Sequence, residues 1–427
     1  MVLIDLIQLF FKAIIQGVPM SHTPKTPRLS ASLLKKIFIA ASIRRWNDHA
    51  TPVEFVELDK QAHKIVIAYL LGKYEEERRG VRVDWERLIL QFCFEFFERI
   101  VLTDIKPPVF HKLQSTHNKE LVEFVCAQLE GDLGVYEFFA QMREYLLSAN
   151  SAQENVERQI LKASHYYASK WEFDIIYHFN PYMYDVQHIR AIINKQVEEH
   201  YHLAGMQEIA LYESVRELVT MFGQLRFQKR WSQTPRIPAT SVLGHTLMVA
   251  LCAYLVSLDI GCCKQMRVNH FFCGLFHDLP EILTRDIISP IKRSVKGLDE
   301  FIKKIEEEAV ASKILAIVPR NIQDDILYFT QNEFSNRYKI EHFCYTAGAE
   351  ELMRRYNSDE YNAVYGEFLK VFDHLSAYLE AKISISHGIS SDELVNGAQG
   401  IYDKCAQTLV YGVDSMLDVG RLFRDFA

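Results

Sequence analysis

Positive charge is what this sequence conspicuously lacks: 48 Lys and Arg stand against 55 Asp and Glu, a formal charge of −7. A general nucleic-acid coat or a polybasic membrane binder needs the opposite balance, so no nucleic-acid polymer is expected as partner. Cys-x-x-Cys pairs are also missing. The eight cysteines mostly sit in apolar runs such as Phe92-Cys93-Phe94. They read as buried thiols of a reducing, cytoplasmic compartment, which excludes a disulfide frame or zinc knuckle. Glycine (18) and proline (12) are sparse and act as punctuation, as at Pro107-Pro108, Gly261 and Pro290. The apolar run Val2 to Val18 is interrupted by Asp5, Gln8, Lys12 and Gln16, so no transmembrane segment is expected there. With Asp5 as its first charge it does not read as a secretory signal either. Residues 1–30 read as an amphipathic helix and a polar leader, with Met20 an alternative start.

What the chain does have is apolar bulk: 49% hydrophobic and 12% aromatic residues over 427 positions. That composition excludes wholesale disorder, and the length allows two or three domains at roughly 150 residues each. Helix-period patterning runs through nearly every segment after Ser30, as in Leu211, Val215, Leu218, Val219 and Phe222. Alternating runs bounded by Asn-Gly or Gly-Gly turns are not evident. The expected fold class is all-α.

The chain also resembles itself. Ile43-Arg44-Arg45-Trp46-Asn47 parallels Gln228-Lys229-Arg230-Trp231-Ser232, although the whole sequence holds only four tryptophans. The segment Asp59 to Ala68 lies against Ser241 to Ala250, pairing His63 with His245. Phe92 to Glu98 echoes Leu275 to Glu281, and Lys162-Ala163-Ser164-His165 through Glu172 matches Lys370-Val371-Phe372-Asp373 through Glu380. Four correspondences in one order predict two tandem helical bundles, 31–208 and 209–427, derived by internal duplication.

Chemistry concentrates in the second copy. His245 lies inside the apolar run Val242 to Leu255, His277-Asp278 closes the apolar run Phe271 to Phe276, and Asp373 follows Leu369 to Phe372. Any one of these alone reads as a hydrogen-bonded core residue or a helix cap. Together they place two imidazoles and two carboxylates in apolar surroundings, where an unpaired carboxylate costs several kcal/mol. One divalent cation would offset that cost with an N/O ligand set.

The series His245, His277-Asp278, Asp373 resembles the H…HD…D signature of the HD-domain metal-dependent phosphohydrolases, an all-α superfamily. Phe276 to Ile287 with Ser289-Pro290-Ile291-Lys292, Arg230-Trp231, and Asp373 to Tyr378 resemble the bacterial 5′-deoxynucleotidases in particular. The resemblance covers roughly residues 215 to 400. It implies that His245, His277, Asp278 and Asp373 hold one divalent metal, Mn, Co or another transition metal, with Mg or Zn as alternatives. Between Asp278 and Asp373 the only histidine is His342, too few for the dinuclear members of the superfamily. It further implies catalytic roles for Glu281, acting on the attacking water, and Asp286, acting on the nucleophile or the leaving 5′-oxygen. Arg230, Trp231 and Lys292 are the implied substrate contacts. The substrate would then be a nucleoside 5′-monophosphate. Another nucleotide or phosphate ester, or nucleotide sensing without turnover, is the alternative.

The first copy lacks the signature. Glu95-Phe96 or Phe94-Glu95 stand opposite His277-Asp278, and His165 stands opposite Asp373. It is expected to be a degenerate scaffold. An intramolecular pseudo-dimer would then take the place of, or accompany, a homodimer.

Overall fold

The computed structural model describes residues 21–149, 154–284 and 297–427. The N-terminal amphipathic segment 1–19 lies outside them. The described residues are mainly helical, in line with the expected all-α class, and the long helices begin and end where local chemistry directs. The helix α1 (Ala31–Ile39) starts at Ser30, whose hydroxyl accepts from the Leu33 N–H at 3.0 Å. The next, α2 (Glu57–Arg79), stops at Gly80, where φ is +64°, a left-handed turn that glycine enters without a Cβ penalty. Asp84 caps α3 (Trp85–Leu102), and Asn155 caps α6 (Val156–Phe179). Between them lie α4 (Pro107–Leu133) and α5 (Phe139–Leu147), and after them α7 (Val186–Glu198), α8 (Ala204–Leu211) and α9 (Glu213–Gln224).

The C-terminal half runs through α10 (Val242–Asp259), α11 (Lys264–Phe276), α12 (Glu281–Thr284), α13 (Leu298–Lys313), α14 (Arg320–Thr330), α15 (Ala349–Arg355), α16 (Gly366–Ser386), α17 (Asp392–Cys405) and α18 (Arg421–Arg424). By length and composition α10 is apolar enough to cross a membrane, yet nine-tenths of it is buried inside the bundle, where it forms the central helix. Short strands, not anticipated from the sequence, fasten the edges. β2 (Arg44–Arg45) pairs antiparallel with β3 (Phe55–Val56), and β4 (Arg337–Ile340) with β5 (Phe343–Thr346). The leader is tied down as well: β1 (Ser21–Lys25) runs parallel to β7 (Ser415–Leu417), which pairs antiparallel with β6 (Val410–Tyr411).

The two halves share one continuous apolar core. Along their contact, α2 packs on α10 and α3 on α11. The Phe92 and Phe271 rings meet at 6.2 Å, Lys264 pairs with Asp84 at 2.8 Å, and Arg267 pairs with Glu86 at 2.6 Å. Gly244 lies so close to Asp59 that a Cβ built on it would stand 2.8 Å from Asp59 Oδ1. Arg28, just after β1, clips both halves by pairing with Asp259 at 2.5 Å and Glu137 at 3.2 Å.

Candidate metal centre

Three helices aim their polar residues at one point. The Ser241 hydroxyl caps α10 by accepting from the Gly244 N–H at 2.9 Å, which puts His245 on the first turn. His277 and Asp278 follow the last turn of α11, and Asp373 sits on the second turn of α16. One ligand atom from each of His245, His277 and Asp373 falls within 4.8 Å of the others. His245 Nε2 is 3.0 Å from Asp373 Oδ1 and 3.7 Å from Asp278 Oδ2, and His277 Nε2 is 3.3 Å from Asp278 Oδ2. The four side chains named by the sequence are therefore together.

The far side of each imidazole is also occupied. His277 Nδ1 faces the Gly274 carbonyl at 2.8 Å and His245 Nδ1 the Ser376 hydroxyl at 2.9 Å. When each Nδ1–H donates to these oxygens, both Nε2 lone pairs point into the cluster, the orientation a metal ligand needs. Two buried atoms there, His277 Nε2 and Asp278 Oδ2, have no hydrogen-bond partner. A cation among them would satisfy both, so the residues fit a divalent metal. Burial opposes charge on His277, but Asp278 and Asp373 beside it prevail and hold it well above the ordinary histidine value. Burial likewise opposes ionisation of Asp278, yet the facing His277 holds it down at about 2.

Arg230 and Trp231 border the cluster. The Arg230 guanidinium lies 3.6 Å from Asp278 Oδ2 and 3.8 Å from Glu380 Oε2. The Trp231 N–H donates to Glu380 Oε2 at 3.0 Å, and its ring packs over Gly397. Glu281 opens α12, buried, with its backbone N–H donating to the Asp278 carbonyl at 3.1 Å. Asp286 and Lys292 lie outside the described residues.

Sequence reasoning passed over Ser376, Thr240 and Glu380. Their signal was spacing: Ser376 and Glu380 follow Asp373 by three and seven residues, which stacks all three on one face of α16. Glu380 is 1% exposed in an otherwise apolar stretch, Leu379 to Ala381.

The N-terminal half carries a related arrangement with different groups. Trp46 and Trp231 both adopt left-handed φ, 57° and 54°, and the Trp46 N–H donates to Glu172 at 2.9 Å as that of Trp231 does to Glu380. Seven residues before Glu172 stands His165, as Asp373 stands before Glu380. Two of the sequence pairings change. Four residues beyond its cap α10 carries His245, but α2 carries Lys60, whose Nζ meets His165 Nδ1 at 2.7 Å. His63 lies a turn further on, against the Val219 carbonyl at 2.9 Å, and is not brought to His165. Counted from the caps of α3 and α11, the places of His277 and Asp278 belong to Glu98 and Arg99 rather than to residues around Glu95. Glu95 instead pairs with Lys64. The sequence pairings slipped because helical periodicity tolerates a shift of three or four residues, and only the caps fix the register.

The family model of the HD domain matches residues 222–402. A 5′-deoxynucleotidase of Pasteurella multocida is 30% identical over 120 residues, 27% of this chain and 61% of that protein. One from Cronobacter sakazakii is 28% identical over 140 residues, 30% of this chain and 70% of that protein. One from Vibrio atlanticus is 26% identical over 118 residues, 27% of this chain and 60% of that protein. The chain thus spans about 60 to 70% of the length of these relatives. Residues 222–402 are thus similar to the HD domain, and within that region the chain resembles the 5′-deoxynucleotidases.

Proposed function

We propose that the chain is a metal-dependent phosphohydrolase that releases phosphate from nucleoside 5′-monophosphates, deoxynucleosides foremost. The observation that carries this reading is the convergence of two imidazole Nε2 atoms and two carboxylates beside one guanidinium, that of Arg230. His245, His277, Asp278 and Asp373 would hold a divalent ion, which would supply Lewis acidity toward water and the phosphoryl group. Arg230 holds the phosphate oxygens with its planar fork of donors. Glu281 takes the proton of the attacking water, and Asp286 gives one to the departing 5′-oxygen. Lys292 adds a point charge for the phosphate. Because the Trp231 N–H is already given to Glu380, its ring face is what remains to pack on the sugar and to exclude a 2′-hydroxyl.

The proposal extends to the N-terminal half, taken as a duplicated copy that kept its scaffold and lost its metal ligands. Lys60, Arg99 and His165 occupy the places of His245, Asp278 and Asp373, and of these three only His165 offers an ordinary ligand for a divalent ion. The pairing of α2 with α10 and α3 with α11 then has the like-with-like character of a two-fold interface inside one chain.

The test is a phosphate-release assay on full-length protein, stripped and reloaded with Mn, Co, Mg or Zn, across nucleoside mono-, di- and triphosphates. Monophosphates are the expected substrates. Glu281→Ala should keep its metal and lose about 10²- to 10⁴-fold in rate. Pyrophosphate or triphosphate release would move the substrate class, and no release with any metal would end the enzymatic reading.

A further inference from the structure

We propose that Glu380 is the positioning residue that sets Arg230 and Trp231 against the metal cluster, so that substrate affinity depends on a carboxylate that itself touches neither metal nor substrate. This rests on the phosphohydrolase reading above. Glu380 is fully buried on α16, two turns beyond Asp373. Its Oε2 accepts from the Trp231 N–H at 3.0 Å and faces Arg230 Nε at 3.8 Å, and its Oε1 accepts from the Thr240 hydroxyl at 2.9 Å. Oε1 also lies 3.7 Å from His245 Nδ1. One carboxylate therefore links both residues of the Arg-Trp pair, the residue before the α10 cap and the back of a ligand imidazole.

Each contact fixes something the others leave free. Trp231 sits at φ +54°, a backbone state costly for a bulky residue, and the indole bond to Glu380 holds the ring over Gly397. The Arg230 guanidinium lies between Glu380 on one side and Asp278 on the other, 3.8 and 3.6 Å away. A long flexible side chain is thereby aligned before a phosphate arrives, which removes an ordering cost from binding. Arg236 backs the same loop, with its guanidinium donating to the Arg230 carbonyl at 2.9 Å and to the Thr240 hydroxyl at 2.9 Å.

The N-terminal half supplies an internal control. Glu172 holds Trp46 at 2.9 Å as Glu380 holds Trp231, and binds Arg45 more closely, at 2.8 Å, but beside Lys60 and His165 instead of the candidate ligand set. If the carboxylate only braced the loop, the two halves would respond alike to its loss.

The experiment compares Glu380→Gln and Glu172→Gln in full-length, metal-loaded protein, measuring thermal unfolding and the KM and kcat for a deoxynucleoside monophosphate. Glutamine keeps the shape and one acceptor oxygen while removing the charge that faces Arg230. Glu380→Gln should raise KM about tenfold with kcat within about threefold, the loss of one charge-assisted contact expressed in binding. Glu172→Gln should lower the melting temperature and leave KM unchanged. In an Arg230→Ala background Glu380→Gln should raise KM by less than it does in the wild type, the remainder passing through Trp231. Equal melting shifts in the two variants with KM unmoved in both, or full additivity with Arg230→Ala, would overturn the proposal. An inactive wild type would instead overturn the phosphohydrolase reading, so the two failures are distinct. Should Glu380→Gln not fold, Glu380→Asp, which retains the charge on a shorter arm, carries the same KM comparison.

Discussion

The two halves solve one electrostatic problem in opposite ways. Around His245 the C-terminal half gathers two carboxylates and two imidazoles, where His277 Nε2 and Asp278 Oδ2 have no hydrogen-bond partner and the Arg230 guanidinium stands 3.6 Å from Asp278 Oδ2. Around Lys60 the N-terminal half meets its polar groups internally: Lys60 Nζ lies 2.7 Å from His165 Nδ1, and burial pushes both groups well below their ordinary values. Glu57 takes Arg45 at 2.9 Å and Arg99 at 3.5 Å, Glu172 takes Arg45 at 2.8 Å and Arg226 at 2.7 Å, and Lys64 takes Glu95. The first half meets its charges with one another, whereas the second presents a donor set that fits a divalent metal. The comparison teaches that the scaffold, helix caps and Trp-Glu bond are separable from the chemistry.

The strongest way to break this contrast is to count ions. Equilibrium dialysis should give one divalent ion per chain in the wild type and in Lys60→Met, and none in Asp278→Ala. At a hundred times the dissociation constant the ion should stabilise the wild type by about 2.7 kcal/mol, and Asp278→Ala not at all. A second ion that disappears in Lys60→Met would show that the N-terminal half still binds metal.

A smaller effect probes the seam between the halves. Gly244→Ala would drive a methyl toward Asp59 Oδ1 at 2.8 Å and Leu58 at 3.0 Å, and Asp59 is itself held at 2.5 Å by the Ser241 hydroxyl that caps α10. Overpacking of this kind costs about 1–3 kcal/mol, measurable by urea unfolding. A neutral result would mean that the like-with-like contact is looser than described.

The smallest effect tests what the halves share. Burial lowers both His63 and His270 to about 3, the guanidinium of Arg226 adding to it for the first and that of Arg337 for the second. A histidine kept neutral in the folded chain contributes its full stability above the unfolded value near 6.5, and that contribution is lost as pH falls from there toward 3. Each should cost about 0.7 kcal/mol between pH 7 and 6. His63→Gln and His270→Gln should each flatten the slope of unfolding free energy against pH by that share. An unchanged slope in either variant would show that its half does not bury a neutral histidine.

Much of the site was legible because it violates its surroundings. An ionisable residue inside Val242 to Leu255 or after Phe271 to Phe276 stands out against an apolar run, and burial makes such a residue costly unless it is paired. Glu380 and Ser376 were equally buried but stood alone in the sequence, and their role depends on which residues of other segments face them. The all-α class followed from the 3.6-residue period, while the two-residue and three-residue strands at Arg44–Arg45 and Ser415–Leu417 are too short for any alternation to register.

By itself, the sequence determined the helical class, the polar residues that break the apolar runs at the candidate centre and the recurrence of Arg-Trp, because periodicity and misplaced charge are local properties. Tertiary structure alone decided that Lys60 and not His63 lies against His165, that Glu380 ties Trp231 to α16 and faces Arg230, and that Arg28 clips the halves together. Those choices depend on helix register and on contacts between residues far apart in the chain. A pattern that repeats every turn cannot distinguish one turn from the next until packing selects it.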